Sequence, residues 1–261
     1  MILDDIVEKT KERVKALKQE KPLEIIKEEA MMLNKETGFP FEKALKKPGL
    51  SFICEVKKAS PSKGIIAGNF PYTEIAMEYE QAGASAISCL TEPYYFKGSN
   101  EYLKEIVNKV NIPVLRKDFT VDEYMIYEAK ILGASAILLI CAVLSDEELI
   151  KYVKIAHSLG MSALIEAHTE MEVERALKSG SKIIGVNNRD LKTFNVDINT
   201  SIKYRKLVPK EFIYVSESGI KGKEDTGRLY HNGTDAVLIG ELLMKSSNKN
   251  NTLKELGLRM E

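Results

Sequence analysis

The chain from residue 52 onward repeats short apolar stretches that are rich in β-branched residues. These stretches begin near residues 52, 86, 112, 136, 162, 182, 212 and 236. Their mean separation of about 26 residues holds one strand, one helix and two loops, so the pattern predicts eight βα units. Eight such units are typical of one α/β fold, the (β/α)8 TIM barrel. A doubly wound open sheet is the alternative, but no GxGxxG motif follows the first stretch.

The first 50 residues differ from the rest because their apolar positions have a helical spacing. The apolar residues of this spacing are Ile2, Ile6, Val14, Leu17, Ile25, Ile26, Ala30 and Leu33. We therefore predict a helical N-terminal extension over residues 1–50, packed on a barrel over residues 51–261, in a single domain overall. Two placements are open for the extension, closing the bottom of the barrel or lying beside its top. A separate module is the alternative.

Three sites match the S/T-x-x-E pattern of a helix-capping box. They are Thr120–Glu123, Ser145–Glu148 and Thr169–Glu172, each just after an apolar stretch. The third, fourth and fifth strands are therefore expected to pass into their helices through short loops. By contrast, the loops after the first, second and sixth stretches are long, over residues 58–72, 91–100 and 187–199. Long loops at the carboxyl ends of barrel strands are where a barrel keeps its active site.

Charged residues stand near the carboxyl ends of three of the apolar stretches. They are Glu55 and Lys57 in the first, Lys117 in the third and Glu166 in the fifth. Residues two apart in a strand face the same side, and odd-numbered barrel strands contribute to the same interior layer. Because burying such charges is costly unless they are paired or used, we predict a functional cluster at the barrel mouth. A structural ion-pair network is the alternative.

Polar and glycine-containing segments follow the last three stretches. Asn187 and Arg189 follow the sixth, where an amide and a guanidinium suit recognition of hydroxyls or a carboxylate. Ser218 and Gly219 follow the seventh and Gly240 the eighth, which is where many barrels bind phosphate. Glycines after two consecutive strands favour phosphate binding over an ordinary turn at Gly219.

Composition narrows the classes of partner. Lysine plus arginine number 38 and aspartate plus glutamate also number 38, so the net charge of zero argues against nucleic-acid binding. The longest uncharged stretch, residues 131–145, is too short to cross a membrane, and the charged, discontinuous start of the sequence leads us to expect no secretory signal. Cys54, Cys89 and Cys141 lie in apolar stretches without a CxxC pattern, which predicts reduced thiols in a cytoplasmic protein without a metal site.

Six segments carry a resemblance to one enzyme family. They are EVKKASPSKG (55–64), VLRKDF (114–119), LIEAHT (164–169), IIGVNNRDL (183–191), VSESGI (215–220) and LIGELLM (238–244). Together they resemble the signature segments of the indole-3-glycerol phosphate synthase family, and the likeness runs over essentially the whole chain. The first, second and fourth segments are the most specific, whereas many phosphate-binding barrels share the glycine-containing ones.

The resemblance implies a ring closure on 1-(2-carboxyphenylamino)-1-deoxyribulose 5-phosphate in tryptophan biosynthesis. The aromatic carbon that bears the carboxylate attacks the ketone, carbon dioxide leaves, and loss of water completes the indole ring. Lys117 matches the family's general acid for ring closure, and Glu166 matches a carboxylate that stabilises charge or assists proton transfer. Glu55 and Lys57 match a pair implicated in substrate positioning and dehydration, and which lysine protonates which oxygen stays open.

The resemblance also assigns the remaining site positions. Asn187 and Ser218 join the catalytic residues, with Asn187 at the sugar hydroxyls, and Ser218, Gly219 and Gly240 form the phosphate cradle. Five further positions are expected to bind substrate, namely Ser60, Phe96, Phe119, Arg189 and Glu217. Packing in the core is the alternative for the two phenylalanines. Glu241 is an unfavourable neighbour for a phosphate unless its side chain points away.

Further expectations concern charge, partners and assembly. A lysine acts as an acid near neutral pH when its pKa is lowered, and we expect Lys57 and Arg189 to lower the pKa of Lys117. We expect a phosphorylated small-molecule substrate, no cofactor, no metal, and a monomer or weak homodimer. Another phosphate-binding barrel enzyme, such as a sugar-phosphate isomerase, is an alternative function. A non-catalytic barrel subunit is the other, although Lys57, Lys117 and Glu166 are all present.

Overall fold

The computed structural model describes residues 2–191 and 193–257. The predicted extension over residues 1–50 and barrel over residues 51–261 therefore include a few positions, 1, 192 and 258–261, that lie outside the described residues. In these ranges eight parallel strands form a closed barrel: β1 Ser51–Val56, β2 Ala86–Leu90, β3 Val114–Lys117, β4 Ala136–Ile140, β5 Ser162–Ala167, β6 Ile183–Asn187, β7 Ile213–Glu217 and β8 Ala236–Ile239. Each strand pairs with its neighbours in sequence, and β1 pairs with β8 to close the ring. Each strand also begins within two residues of its predicted start. The predicted TIM barrel is confirmed.

Helices surround the barrel. In the described ranges they are α1 Ile2–Glu20, α2 Leu23–Met32, α3 Pro40–Leu45, α4 Tyr72–Gln81, α5 Asn100–Val107, α6 Glu123–Ile131, α7 Asp146–Ser158, α8 Glu170–Lys178, α9 Asn199–Tyr204, α10 Lys223–His231, α11 Glu241–Lys245 and α12 Lys249–Glu255. Helices α4 to α11 follow strands β1 to β8 in order. A short antiparallel hairpin, Ala59–Ser60 with Gly64–Ile65, lies in the loop after β1.

The start of α6 differs from the prediction. The predicted cap, Thr120, is buried just after β3, and the cap is Asp122 instead. The Asp122 carboxylate accepts a hydrogen bond from the backbone N–H of Tyr124 at 2.9 Å. Asp122 also pairs with Lys18 of α1 at 2.7 Å. An anionic side chain at this position therefore caps α6 and binds the N-terminal extension at the same time.

The other two predicted helix starts are confirmed. Ser145 and Glu148 form a complete capping box at the start of α7. At α8 the Thr169 hydroxyl accepts a hydrogen bond from the N–H of Glu172 at 3.2 Å. The Glu172 carboxylate accepts from the N–H of His168, one residue before the cap, at 2.7 Å. Both helices therefore begin close to the ends of their strands, which keeps these loops short.

Helix α3 closes the amino-terminal end of the barrel. Phe41 and Leu45 are fully buried and pack in the same core cluster as the inward residues Ile53 and Leu115. The hydroxyl of Ser51, the first residue of β1, donates to a carbonyl of this helix at 3.3 Å. Apolar packing therefore seals this end, and the carboxyl ends of the strands are left as the accessible end of the barrel.

Helix α1 lies at the opposite end. Its first turns place Ile2 and Ile6 in the wall of a cavity at the carboxyl ends of the strands. Further along, Arg13 donates two hydrogen bonds to the Asp118 carboxylate, directly after β3, at 3.0 and 2.9 Å. The extension therefore occupies both of the placements left open by the sequence, with α3 at the bottom and α1 beside the top. The domain boundary at residue 50 stays a prediction.

Two observations bear on the expectations from composition. None of the helices in the described ranges combines the length and the apolar character that crossing a membrane requires. Cys54, Cys89 and Cys141 are buried with free thiols, and burial raises the pKa of each thiol. Thiols of this kind are inert groups of the core.

Gly160, directly after α7, is required by its backbone and by its surroundings. Its φ is +74°, in the left-handed region. A Cβ at this position would collide with the carbonyl oxygen of Lys35 and lie 2.9 Å from Thr37 Cγ2. Gly180, directly after α8, has a similar φ of +92°, but a Cβ there would meet only a Val153 methyl group at 3.8 Å. Substitutions at both glycines would strain the backbone, but only a substitution at Gly160 would also create a steric clash.

We predict that Gly160→Ala destabilises the protein more than Gly180→Ala. The left-handed backbone costs alanine about 1–2 kcal/mol at either position. Overpacking against the segment around Lys35 adds about 1–3 kcal/mol at Gly160 alone. Urea unfolding of both variants beside the unmodified protein measures the difference. Equal losses of stability would mean that this segment moves aside freely, against the close packing described above.

Candidate active site

A cavity of about 580 Å³ opens at the carboxyl ends of the barrel strands. Its wall includes six polar side chains from the strand ends, namely Glu55, Lys57, Lys117, Glu166, Asn187 and Glu217. They lie in or directly after β1, β3, β5, β6 and β7, where the alternation of a strand turns the side chain toward the barrel axis. The strand geometry therefore gathers charges from distant parts of the sequence into one place.

The other site residues named from the sequence line the same cavity. They are Ser60, Phe96, Phe119, Arg189, Ser218, Gly219 and Gly240. The structure therefore brings every one of these positions to a single cavity. Their individual roles in binding and catalysis stay predictions.

Lys117 lies between two of the carboxyl groups. Its Nζ is 3.0 Å from Glu166 Oε2 and 3.6 Å from Glu217 Oε2. Burial alone would lower the pKa of Lys117, but the charges of Glu166, Glu217 and Glu55 outweigh burial and raise that pKa above its ordinary value. The lysine is therefore a fully charged ammonium at neutral pH.

This direction is opposite to the one expected from the sequence. Lys57 and Arg189 were to lower the pKa of Lys117, but both are engaged elsewhere. The Lys57 ammonium is bonded to Glu55, and Arg189 Nη1 donates to the carbonyl oxygen of Phe194 at 3.3 Å. The expectation is wrong because sequence spacing shows which residues share an interior layer, not which partner each side chain takes.

Glu166 is held in its ionised form. Burial opposes ionisation, but the charges of Lys117 and His168 and a hydrogen bond with Asn187 lower the pKa of Glu166 to about 2. Its carboxylate therefore stays ionised at neutral pH and is a weak base, which takes a proton only from a strongly acidic group.

Glu217 behaves in the opposite way. Burial, together with the carboxylates of Glu166 and Glu55, raises the pKa of Glu217 to about 8 despite the attraction of Lys117. Among the described residues, Glu217 Oε1 has no hydrogen-bond partner. A Cβ on Gly185 would collide with that oxygen, so glycine in β6 provides the space for it. Glu217 is therefore a buried carboxyl group that keeps its proton at neutral pH.

His168 belongs to this cluster, and sequence analysis missed it. Its Nε2 is 3.4 Å from Glu166 Oε1 and its Nδ1 is 3.5 Å from Glu172 Oε2. Burial opposes a charge on the ring, but interactions with Glu172 and Glu166 raise the pKa of His168. The signal in the sequence was a histidine two residues after one glutamate and four before another.

Gly240 has a role that sequence analysis did not find. A Cβ there would collide with the Glu55 carboxylate and lie 3.1 Å from Lys57 Nζ. The missing side chain therefore leaves room for the Glu55–Lys57 ion pair beside β8. The phosphate contact of Gly240 stays a prediction, and such a contact requires only its backbone N–H.

The loop after β7 has a left-handed backbone at two successive residues. The φ angles are +66° at Ser218 and +86° at Gly219. Asn188 Nδ2 holds this loop by donating to the carbonyl oxygen of Ser218 and to the Ser216 hydroxyl, each at 3.0 Å. A Cβ at Gly219 would lie 2.5 Å from Val196 Cγ1. Only glycine therefore lets the loops after β6 and β7 pack in this way.

Phe96 and Phe119 form an apolar part of the cavity wall. Their ring centroids are 6.0 Å apart and their planes are inclined by 39°. Leu138 and Ile140 of β4 also line the cavity, together with Ile2 of α1. Such a surface suits a planar aromatic ring. Sequence analysis missed the contribution of α1 because helical periodicity identifies an apolar face but not what that face covers.

Glu241 forms ion pairs with neighbouring lysines. Its carboxylate is 2.6 Å from Lys245 and 3.8 Å from Lys63. The hydrogen bond with Lys245 lowers the pKa of Glu241. Paired in this way, Glu241 repels a nearby phosphate much less than a free carboxylate would.

The side chains of the cavity can therefore perform acid–base chemistry. Lys117 and Glu217 carry protons at neutral pH, Glu166 is ionised, and Lys57 forms an ion pair with Glu55. Across residues 2–191 and 193–257, no group of three or more His, Cys, Asp or Glu side chains could hold a metal ion.

Solved structures resemble this fold at low sequence identity. The 3-hexulose-6-phosphate synthase of Salmonella typhimurium superposes with a TM-score of 0.65 at 11% identity, over 79% of this chain and 96% of that one. The thiamine phosphate pyrophosphorylase of Pyrococcus furiosus superposes with a TM-score of 0.60 at 15% identity, over 79% and 93% of the two chains. At such identities the likeness establishes the barrel fold alone.

Sequence comparison is more specific. The family described as indole-3-glycerol phosphate synthase matches residues 3–256. The indole-3-glycerol phosphate synthase of Ruminiclostridium cellulolyticum is 55% identical over 256 residues, which cover 98% of each chain. That of Endomicrobium trichonymphae is 57% identical over 256 residues, covering 98% of this chain and 99% of the relative. The chain belongs to the indole-3-glycerol phosphate synthase family.

Proposed function

We propose that the cavity performs the reaction of an indole-3-glycerol phosphate synthase on 1-(2-carboxyphenylamino)-1-deoxyribulose 5-phosphate. The reaction closes the indole ring and releases carbon dioxide and water, so the enzyme is a carboxy-lyase of tryptophan biosynthesis. The observation that carries the proposal is the largely buried Lys117 ammonium, 3.0 Å from the ionised Glu166 and next to Glu217, which keeps its proton. A sugar-phosphate isomerase needs one carboxylate base and has no use for a second lysine in the cavity, such as Lys57.

The substrate extends across the barrel mouth. Its phosphate binds the backbone after β7 and β8, at Ser218, Gly219 and Gly240, and its aromatic ring packs on Phe96 and Phe119. This orientation is supported by the strand order, because β3, which precedes Phe119, lies opposite β7 in the closed ring. The ketone between the two ends of the substrate then lies near the charged cluster. Asn187, at the end of β6, and Ser60 and Arg189, in the surrounding loops, contact the sugar hydroxyls and the carboxylate.

Lys117 is the acid for ring closure. A bond forms between the aromatic carbon and the ketone carbon, and the ketone oxygen takes a proton from the Lys117 ammonium. The raised pKa of Lys117 keeps the donor fully protonated at neutral pH. It also means that the proton moves only when the oxygen has become strongly basic, late in the transition state. Carbon dioxide then leaves, and the electrons of its bond restore the aromatic ring.

Lys57 and Glu166 complete the reaction. Lys57 donates a proton to the leaving hydroxyl, which departs as water, while the ring nitrogen supplies the electron pair. The Glu55 carboxylate holds Lys57 in the cavity through their ion pair. Glu166 then accepts the carbon-bound proton whose loss makes the ring aromatic, and its pKa of about 2 keeps it ionised until that step. Because Glu217 keeps its proton, Glu166 is the ionised carboxylate that pairs with Lys117.

The location and assembly of the enzyme are part of this proposal. Three buried free thiols are typical of a protein in the reducing cytoplasm. Every side chain in the proposed mechanism comes from one chain, so a monomer is sufficient for catalysis. A weak homodimer is compatible with the same mechanism.

A fluorescence assay tests the proposed reaction directly. Incubation with the carboxyphenylamino substrate should give the fluorescence of an indole product. The protein contains no tryptophan, so its own emission does not hide the product. Failure to form an indole product with correctly folded protein would contradict the proposed function.

We predict that Lys117→Ala lowers kcat by about 100- to 10,000-fold, the usual contribution of a positioned acid. KM should change little, because the phosphate and aromatic contacts remain. Lys117→Arg should lose nearly as much, since a guanidinium keeps the charge but does not release its proton near neutral pH. Steady-state kinetics of both variants separate proton donation from charge stabilisation. An arginine variant that retains most of its turnover would overturn the role assigned to Lys117.

A second prediction concerns stability and pH. The folded-state pKa of Glu217, about 8, lies above its ordinary value of 4.5. Between these two pH values the folded protein keeps a proton that the unfolded chain releases, so this group's contribution to stability falls as pH rises and then levels off. Glu217→Gln stays neutral and should gain stability relative to the unmodified protein from about pH 5 to about pH 9. Urea unfolding across this range should show the gain, whereas parallel curves would mean that Glu217 ionises normally.

The phosphate assignment predicts a loss of binding in Gly219→Ala. Alanine disfavours the φ of +86° and meets Val196, so the loop must shift its N–H groups. KM and the inhibition constant of inorganic phosphate should both rise roughly 10-fold or more, as expected for the loss of charged hydrogen bonds. Gly227→Ala is the control, because a Cβ there meets no atom within 4 Å beyond its chain neighbours and the backbone of its own helix, and its kinetics should be unchanged. Undiminished phosphate inhibition in Gly219→Ala would place the anion site elsewhere.

A further inference from the structure

A buried carboxylate behind the cavity wall organises the loop after β2. Glu92 is 0% exposed and is not among the described residues that line the cavity. Its two oxygens accept hydrogen bonds from the backbone N–H groups of Tyr94, Tyr95 and Phe96, at 2.8, 2.7 and 2.9 Å. Burying a carboxylate is costly unless its oxygens are satisfied, and here three successive amides satisfy them.

Backbone contacts close the ends of this loop, residues 92–98. The N–H of Gly98 donates to the carbonyl oxygen of Glu92 at 2.7 Å. A Cβ at Gly98 would collide with the carbonyl oxygen of Leu90 and lie 2.8 Å from the carbonyl carbon of Thr91. The loop therefore folds back against the end of β2 as a closed turn, with Glu92 at its centre.

The start of the loop is fastened to the strand end that carries Lys117. The N–H of Thr91 donates to the carbonyl oxygen of Lys117 at 3.1 Å. The Thr91 hydroxyl donates to the Asp118 carboxylate at 2.7 Å. The position of the loop is therefore set relative to the charged cluster.

Phe96 is the residue that this arrangement presents to the cavity. Its ring lines the cavity 6.0 Å from the ring of Phe119, and its N–H is the last of the three bound by Glu92. Glu92 therefore fixes the backbone from which the ring projects. A wall that is ordered before the substrate arrives does not have to be ordered during binding, and affinity is higher as a result.

We propose that Glu92 is a positioning residue for the aromatic half of the substrate. Its carboxylate holds the Phe96 ring in place, and so sets substrate affinity without touching the substrate. This inference rests on the proposed function in one respect, the packing of the substrate's aromatic ring on Phe96.

The first test is Glu92→Gln. The amide group has the shape of the carboxylate but offers one acceptor oxygen, so at least one of the three N–H groups loses its partner. KM for the carboxyphenylamino substrate should rise about 10-fold, with kcat within about twofold of the unmodified protein. Glu101→Gln, an exposed position at the start of α5, is the matched control and should leave both constants unchanged. An unchanged KM in Glu92→Gln would overturn the proposal.

A double-mutant cycle with Phe96→Ala tests whether Glu92 acts through this ring. Where the ring is absent, its positioning has no value, so adding Glu92→Gln to Phe96→Ala should change KM by less than about twofold. A rise in KM as large as in the single variant would show that Glu92 acts by another route and would overturn the proposal. A general loss of stability would not produce this dependence on Phe96.

Amide hydrogen exchange separates this inference from the proposed function. If the unmodified protein forms no indole product, the proposed function fails, but the positioning of the loop can still be measured. Glu92→Gln should speed exchange at residues 94–96, and Glu101→Gln should not. Unchanged exchange at these amides would overturn the positioning role whatever the activity. If Glu92→Gln does not fold, Glu92→Asp, which withdraws the carboxylate by one methylene group, should show the same changes to a smaller degree.

Discussion

The barrel mouth depends on one ion cluster, the largely buried ammonium of Lys117 surrounded by three buried carboxyl groups. Glu55, Glu166 and Glu217 could not all be ionised there, because an unpaired buried charge is among the costliest features of a protein. Lys57 pairs with Glu55, Lys117 pairs with Glu166, and Glu217 is neutral because it keeps its proton. The net charge of this cluster therefore depends on which of its groups carry a proton. A site balanced in this way holds proton donors next to an ionised carboxylate, which is what a reaction with separate acid and base steps requires.

The cluster also requires space, which glycines supply in β6 and directly after β8. Gly185 of β6 stands beside the Glu217 carboxyl group, and Gly240 after β8 stands beside the Glu55–Lys57 pair. Glycine inside a strand is unfavourable because it loses backbone entropy and has no side chain to pack. At these positions a larger residue would occupy the volume of a carboxyl oxygen. The glycines are therefore as much a part of the charged site as the residues that carry the charges.

The sequence predicted the framework of the site better than its electrostatics. Buried parallel strands are continuous apolar stretches between turn residues, so their starts could be placed within two residues. Alternation along each strand then placed Glu55, Lys117 and Glu166 on the same interior side. The direction of the Lys117 pKa shift depends on distances of 3.0 and 3.6 Å between side chains of different strands, and sequence spacing does not determine such distances. The sequence likewise could not predict that Ile2 lines the cavity, because the position of α1 relative to the barrel is set by tertiary packing.

Alternation of side chains along β3 also connects the site to the helices outside the barrel. Lys117 faces inward, whereas its two neighbours along the chain take partners among the surrounding helices. Arg116 donates to Glu128 of α6 at 2.6 Å, and Asp118, whose side chain is 0% exposed, accepts two hydrogen bonds from Arg13 of α1. The end of β3 is therefore held by an inner and an outer set of charges. The outer contacts hold this strand end in place, and with it the distances from the ammonium to Glu166 and Glu217 on which its charge interactions depend. The chemistry of the mouth is in this sense a property of the whole packed barrel, with the N-terminal helix included.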